Sequence, residues 1–370
     1  MTLPAWTASI AITCAVLFGV GIPLLAVRMI LPGIADPRAR MRNYRGADVA
    51  LGLGLVWLVW AIGLLLAGGL ADVVVALVPT GTASAALVER FAMTPLALPL
   101  FGVPFLLVAS VVALGMADDH LGVGGPKGFK GHLTAAREGR LTTGMLKLLG
   151  VGALALYYGA SAAERLVARS FADATPGEEP LAFLAAWAAA ALVIALSTNL
   201  LNLLDLRPGR ALKAYLVLMP VPAVLFALAA VTGYNASVAA FSAESADVTL
   251  AAWESVLVAV CFTVVLAGPA LAVIGPDLRE RAMLGDAGAN VLGAVIGYLL
   301  SAVLSLGWLV GAAVVLAALN AISERVSFST VIERTPLLRA IDDWGRLGAE
   351  PPHTGAVGYH AMEAENDRRD

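Results

Sequence analysis

The sequence predicts an all-α, polytopic transmembrane helical bundle of about nine spans, with its N-terminus outside and its C-terminus cytoplasmic. Three observations carry that reading. The 370 residues are 59% hydrophobic and only 14% charged, with a mean hydropathy of +0.84, whereas soluble domains average about 25% charged residues. Apolar runs long enough to cross a bilayer fall near 5–27, 48–70, 94–116, 143–161, 182–204, 212–232, 253–274, 287–305 and 307–322. Basic residues separate by side: with the N-terminus outside, 21 of the 24 lysines and arginines fall inside, and only Arg90, Arg165 and Arg169 fall outside, the bias that orients membrane helices.

Each run has its own justification. The first lacks a basic n-region and a small-residue cleavage site, so it reads as a span that stays and not as a removed signal peptide. The outer loops 72–92, 162–181 and 233–252 are poor in basic residues and read as connectors. The last two runs join tightly at Gly307, and Ala289, Gly293 and Gly297 form a small-residue packing face. Residues 1–348 are expected to form one membrane-embedded domain, and 349–370 a polar cytoplasmic tail. Cys14 and Cys261 lie inside apolar runs and read as packed or lipid-facing thiols.

Four acidic sites stand at the inner ends of these runs: Asp118-Asp119, Asp205, Asp286 and the Glu324-Arg325 pair. Ionisable groups near hydrocarbon are costly, which makes each a functional candidate. Together they suggest one polar site for a divalent cation and a phosphate. Adjacent carboxylates such as Asp118 and Asp119 repel unless a cation relieves them, and Mg²⁺ accepts one or two carboxylates while keeping its waters. The bland alternative is a pair of solvated aspartates. The loop beyond them, with Lys127, Lys130 and several glycines, offers backbone N–H groups to phosphate. Asn199, Asn202 and Asp205 recur every three residues on one helix; interhelical hydrogen bonding explains them equally well. Asp286 is expected at the N-cap of the eighth span, with Gly285 allowing close backbone approach, which suits either an anion site or an ordinary cap. The stretch from Asn320 to Arg346 is amphipathic and suits the membrane surface or a cap on the bundle.

Taken together, the segments resemble the polyprenyl-phosphate N-acetylhexosamine-1-phosphate transferases. Asp118-Asp119 resembles that family's DD motif; Asn199, Asn202, Leu203 and Asp205 resemble its N-x-x-N-L-x-D; Gly285, Asp286 and Gly288 resemble its G-D-x-G. The order holds over residues 95–325. The chain departs from the family where Asp205 is followed by Leu206-Arg207-Pro208, with Pro208 in place of a second carboxylate, and where Ala289 replaces a serine. Residues 324–329 stand where the translocase branch has a histidine-rich loop, and the family's last span has no counterpart.

The resemblance implies an enzyme of the bacterial plasma membrane, active site facing the cytoplasm. It would move a HexNAc-1-phosphate from a UDP-sugar to undecaprenyl or another polyprenyl phosphate, releasing UMP, in cell-wall biogenesis. It implies Mg²⁺, replaceable by Mn²⁺, held by Asp286 and Asn202. It gives Asp118, Asp119 and Asp286 catalytic roles, and Asn199, Asp205, Lys130, Lys147 and Arg325 substrate contacts. The expected partners are the two substrates and membrane lipid, with a homodimer left open and no nucleic acid. The rival readings are an inactive relative that scaffolds envelope assembly and a secondary transporter, although a transporter usually carries its charges near the midplane.

Overall fold

A computed structural model describes residues 5–34, 40–77, 105–121, 131, 134–135, 137–140, 142–170, 179–241 and 252–347. The chain enters through α1 (Ala5–Val16), passes a π-helical turn (Leu17–Gly21) and continues in α2 (Ile22–Gly33). There follow β1 (Arg40–Arg42), β2 (Asp48–Leu51), α3 (Leu55–Leu77), α4 (Phe105–Leu121), α5 (Thr143–Ser170) and α6 (Glu179–Leu204). After these come α7 (Arg210–Leu218), α8 (Pro220–Phe241), α9 (Ala252–Leu278), β3 (Ala282–Met283), α10 (Gly285–Val303) and α11 (Leu306–Ser323), then the short α12 (Phe328–Arg334) and α13 (Pro336–Asp343).

Among the described residues, seven helical segments are long and apolar enough to cross a membrane: Ala11–Gly33, Thr143–Ala168, Pro180–Leu204, Arg210–Gly233, Ala252–Leu278, Gly285–Val303 and Leu306–Ser323. The protein is therefore built as a multi-pass helical membrane protein. Helices also occupy the other two apolar runs, as Leu55–Leu77 and Phe105–Leu121. The joint between the last two helices lies at Leu304–Ser305, just before the expected Gly307.

Among the described residues the fold departs from all-α at one place. Asp48–Leu51, expected to open the second span, is a strand that pairs antiparallel with β1 and parallel with β3. An apolar run does not by itself distinguish a buried strand from a helix. Here Gly52, at φ +138°, ends the strand before α3 begins. Val49, Ala50, Leu51 and Ala282 are buried, so the small sheet seals one end of the bundle.

The most enclosed helix is α10, packed chiefly against α6 and α4. Missing side chains permit the approach: a methyl group at Gly297 would lie 2.7 Å from the Ile194 Cα, and one at Gly115 would lie 2.5 Å from the Ala287 Cα. Close backbone contact of this kind drives helix association where the hydrophobic effect cannot. The small-residue face Ala289–Gly293–Gly297 thus packs as its sequence suggests. At the other extreme, α11 is little buried and presents Trp308, Val314 and Val315 outward.

Candidate functional site

Helix α4 ends on Asp118-Asp119 directly beside the start of α10. Asp119 Oδ1 accepts the Asp286 backbone N–H at 3.0 Å, and Oδ2 accepts that of Ala287 at 3.2 Å. The first turn of a helix has unpaired N–H groups and a partial positive charge, and here a carboxylate from another helix satisfies them. This corrects the N-cap reading of Asp286: Asp286 stands inside the first turn, no side chain of its own segment caps the helix, and Asp119 does the capping. Gly285 makes room. It sits at φ +69°, and a Cβ there would lie 2.6 Å from Leu51 Cδ1 and 2.8 Å from Asp119 Oδ2.

Lys147, in the first turns of α5, reaches the same point. Its ammonium donates to Asp118 Oδ2 at 2.6 Å and also to Asp286 Oδ2. The three side chains are 18–29% exposed. The linker after α6 brings Asp205, which lines one cavity with Asp119, Asp277, Gly285 and Asp286. Burial, followed by the charges of Asp277, Asp286 and Asp119, pushes Asp205 well above the ordinary carboxylate range.

That cavity, of about 320 Å³, lies beside this cluster. Asp119, Asp205, Asp277 and Asp286 form its acidic floor, and Asn43, Tyr44, Arg207 and Glu280 its rim. Around the Tyr44 ring stand three guanidinium groups, those of Arg207, Arg45 and Arg346, at 4.6, 5.3 and 5.4 Å from its centroid. Glu280 adopts φ +51°, the left-handed region, while its carboxylate accepts from Asn43 Nδ2 at 2.7 Å. Strain of that kind persists where the surroundings hold it in place.

Of the residues singled out in the sequence, Asp118, Asp119, Lys147, Asp205 and Asp286 come together. Asn199 does not join them: it is exposed, and its Nδ2 donates to Asn320 Oδ1 of α11 at 2.6 Å, the plain interhelical bond. Arg325 is exposed at the end of α11 and is not part of the cavity wall. His120 bonds the Met116 carbonyl of its own helix. Lys130 and residues 349–370 lie outside the described residues.

Asp277 is the acid that sequence reasoning missed. It is 4% exposed; Oδ2 accepts the Gly209 N–H at 2.5 Å and Oδ1 that of Leu284 at 3.1 Å. It therefore staples the linker carrying Asp205 to the strand leading into α10. The signal that flagged the others, an acid ending an apolar run, was present in Pro276-Asp277 but obscured by the charged residues after it.

A divalent cation such as Mg²⁺ needs a set of hard oxygen donors. Among the described residues no three acidic, histidine or cysteine side chains are arranged to hold one. Asn202 Oδ1, however, is buried with no hydrogen-bond partner, which is costly for an acceptor unless something compensates it. Ile194 lies against Gly297 and Thr198 against Gly293, and Asn202 follows Thr198 by about one turn on that face of α6. One carboxylate and one amide fit a hard cation that completes its shell with water and a diphosphate. Asn290, one turn beyond Asp286, is also buried and has an unpartnered Nδ2.

No protein-family model matches this chain, and no curated protein matches it. The likeness to the polyprenyl-phosphate transferases accordingly rests on the sequence motifs alone.

Proposed function

We propose that this protein is a polyprenyl-phosphate sugar-1-phosphate transferase that uses a cytosolic UDP-sugar. The observation that carries the proposal is the meeting of three separated motifs: Asp118-Asp119, Asp205 and Asp286 adjoin one another around the start of α10. In the proposed reaction a lipid phosphate oxygen attacks the β-phosphorus of the UDP-sugar. The bond from that phosphorus to the bridging oxygen breaks, and the products are a polyprenyl-diphospho-sugar and UMP.

The chain's own residues then divide the work. Both Asp119 oxygens accept backbone N–H groups at the start of α10, so Asp119 positions Asp286. Asp118 is the carboxylate left to orient the lipid phosphate, with Lys147 supplying positive charge to the transferring group. Asp205 faces the nucleotide half of the donor from the cavity floor. Asp286 and Asn202 are the residues that would hold Mg²⁺, which when bound neutralises charge on the diphosphate. Purified protein incubated with UDP-HexNAc, undecaprenyl phosphate and Mg²⁺ should release UMP. Asp286→Asn should lower that release by about 100-fold or more while leaving the far-ultraviolet spectrum unchanged; near-normal turnover in the variant would overturn the assignment.

One observation favours a second reading, an inactive relative with a scaffolding role. Lys147 fills the gap between Asp118 and Asp286, and Pro208 stands where the related motif has its second carboxylate. Absence of UMP with every UDP-sugar in a panel, from a folded sample, would support it.

A further inference from the structure

We infer that the C-terminal arm, α12 and α13, is a membrane-surface element whose apolar side rests in the headgroup boundary of the leaflet at the acidic end of the bundle. The first observation is a sided surface. Leu337, Leu338, Ile341 and Trp344 follow one another at i, i+1, i+4 and i+7, the spacing of a single helix face. They are 71%, 41%, 47% and 74% exposed. No packed element covers them among the described residues.

The second observation fixes where that face lies. The opposite side of α13 is pinned to the first turn of α7. Arg210 Nε and one terminal nitrogen donate to the two Asp342 carboxylate oxygens at 2.8 and 2.9 Å. Lys213 donates to the carbonyls of Ile341 and Asp342 at 2.9 and 2.7 Å, satisfying the end of the helix. Arg210 is also the first residue of a segment long and apolar enough to cross the membrane. The arm is therefore held at the level where a spanning helix meets water, and it begins only a few residues after α11 ends at Ser323. A sided helix at that depth buries its apolar face among lipid headgroups.

Charge complements the surface. Arg334 is exposed on the same arm, and the leaflet facing the cytoplasm is anionic and draws such residues to it; Arg339, on the far side of α13, pairs with Asp343 at 3.5 Å. The tryptophan suits the same depth, with its apolar ring in lipid and its N–H toward water. On the inner side of the same arm, Arg346 donates to the Tyr44 hydroxyl at 3.1 Å, at the rim of the cavity. The arm thus lies between the leaflet and the cavity mouth. This inference does not depend on the proposed activity.

The test uses the full-length protein with Cys14 and Cys261 replaced by alanine, reconstituted in phosphatidylcholine–phosphatidylglycerol vesicles. Leu337→Cys and, separately, Asp343→Cys carry an environment-sensitive fluorophore. The label at 337 is expected to shift to the blue and to lose emission to headgroup-proximal nitroxide lipids while resisting aqueous iodide; the label at 343 should be quenched by iodide. Iodide quenching at 337 without lipid quenching would overturn the inference. So would protection from both quenchers, whether with cross-linking at 337 to a second copy, which would make the face a self-association surface, or without it, which would mean that residues 348–370 or the bundle cover it.

Discussion

Lys147 shares its ammonium between Asp118 and Asp286, so the two carboxylates are compensated only while it remains. Removing one member of a buried ion group costs about 3–5 kcal/mol; with a fifth of this group exposed, Lys147→Met should cost nearer 1–3 kcal/mol. The variant leaves two carboxylates facing one another, a better cation site than the native one. Mg²⁺ should therefore raise the melting temperature of Lys147→Met in detergent more than that of the parent, and an equal or smaller rise would mean that the carboxylates do not share a cation. Gly285 is governed by backbone geometry instead. Its φ of +69° and its closeness to Asp119 mean that Gly285→Ala should destabilise the fold by about 1–3 kcal/mol, visible as a lower melting temperature. That Asp118, Asp119, Asp205 and Asp286 stand at helix ends was legible in the sequence because charge at the end of an apolar run is conspicuous, whereas Asp277, followed by further charges, was not picked out. Where each side chain points was not legible. Asn199 and Asp205 stand about two helical turns apart with similar polarity, yet one bonds Asn320 of α11 and the other lines the cavity beside Gly285 and Asp286, because a three-residue repeat drifts around the helix.

The C-terminal arm is held by its own buried charge cluster. Burial raises the Asp342 carboxyl, but the hydrogen bond and charge of Arg210, with Arg346 and Lys213, outweigh it and hold the group below the ordinary carboxylate range. A depressed carboxylate contributes stability that is complete above its unfolded value, near pH 4, and is lost as pH falls through the folded value. Acidification below pH 4 should therefore weaken the arm's attachment, seen as faster amide hydrogen exchange in α13 relative to α10. Asp342→Asn should remove that acid step and loosen the arm at neutral pH by about 3–5 kcal/mol, since Arg210 and Asp342 are 5% and 6% exposed. An arm that exchanges no faster in the variant would show that the cluster does not hold it. The sequence indicated an amphipathic stretch here but not its anchor, because Arg210 and Asp342 are 132 positions apart. The same reason hid the sheet: Leu51 and Met283 pair across the length of the bundle's sequence, and nothing local announces a parallel partner.

Taken along the chain, the helix ends alternate. The end of α4, the start of α5, the end of α6, the start of α7, the end of α9 and the start of α10 all lie at the end of the bundle that holds the cavity. Alternation of this kind is what successive crossings of one membrane produce, and it puts all the clustered acids at a single end of the bundle. The distribution of lysine and arginine predicts that this end faces the cytoplasm. The two lines are independent, since the acids took no part in the count. Leu206 is 56% exposed at the acidic end, and Ser305 is exposed beyond the far end of α10, about 28 Å away at 1.5 Å per residue. A membrane-impermeant maleimide applied to intact cells should therefore label Ser305→Cys and spare Leu206→Cys, with the pattern exchanged in inverted vesicles. Labelling of Leu206→Cys from outside would place the cavity away from cytosolic nucleotide sugars, and the proposed reaction would lose its donor even with every side-chain contact intact.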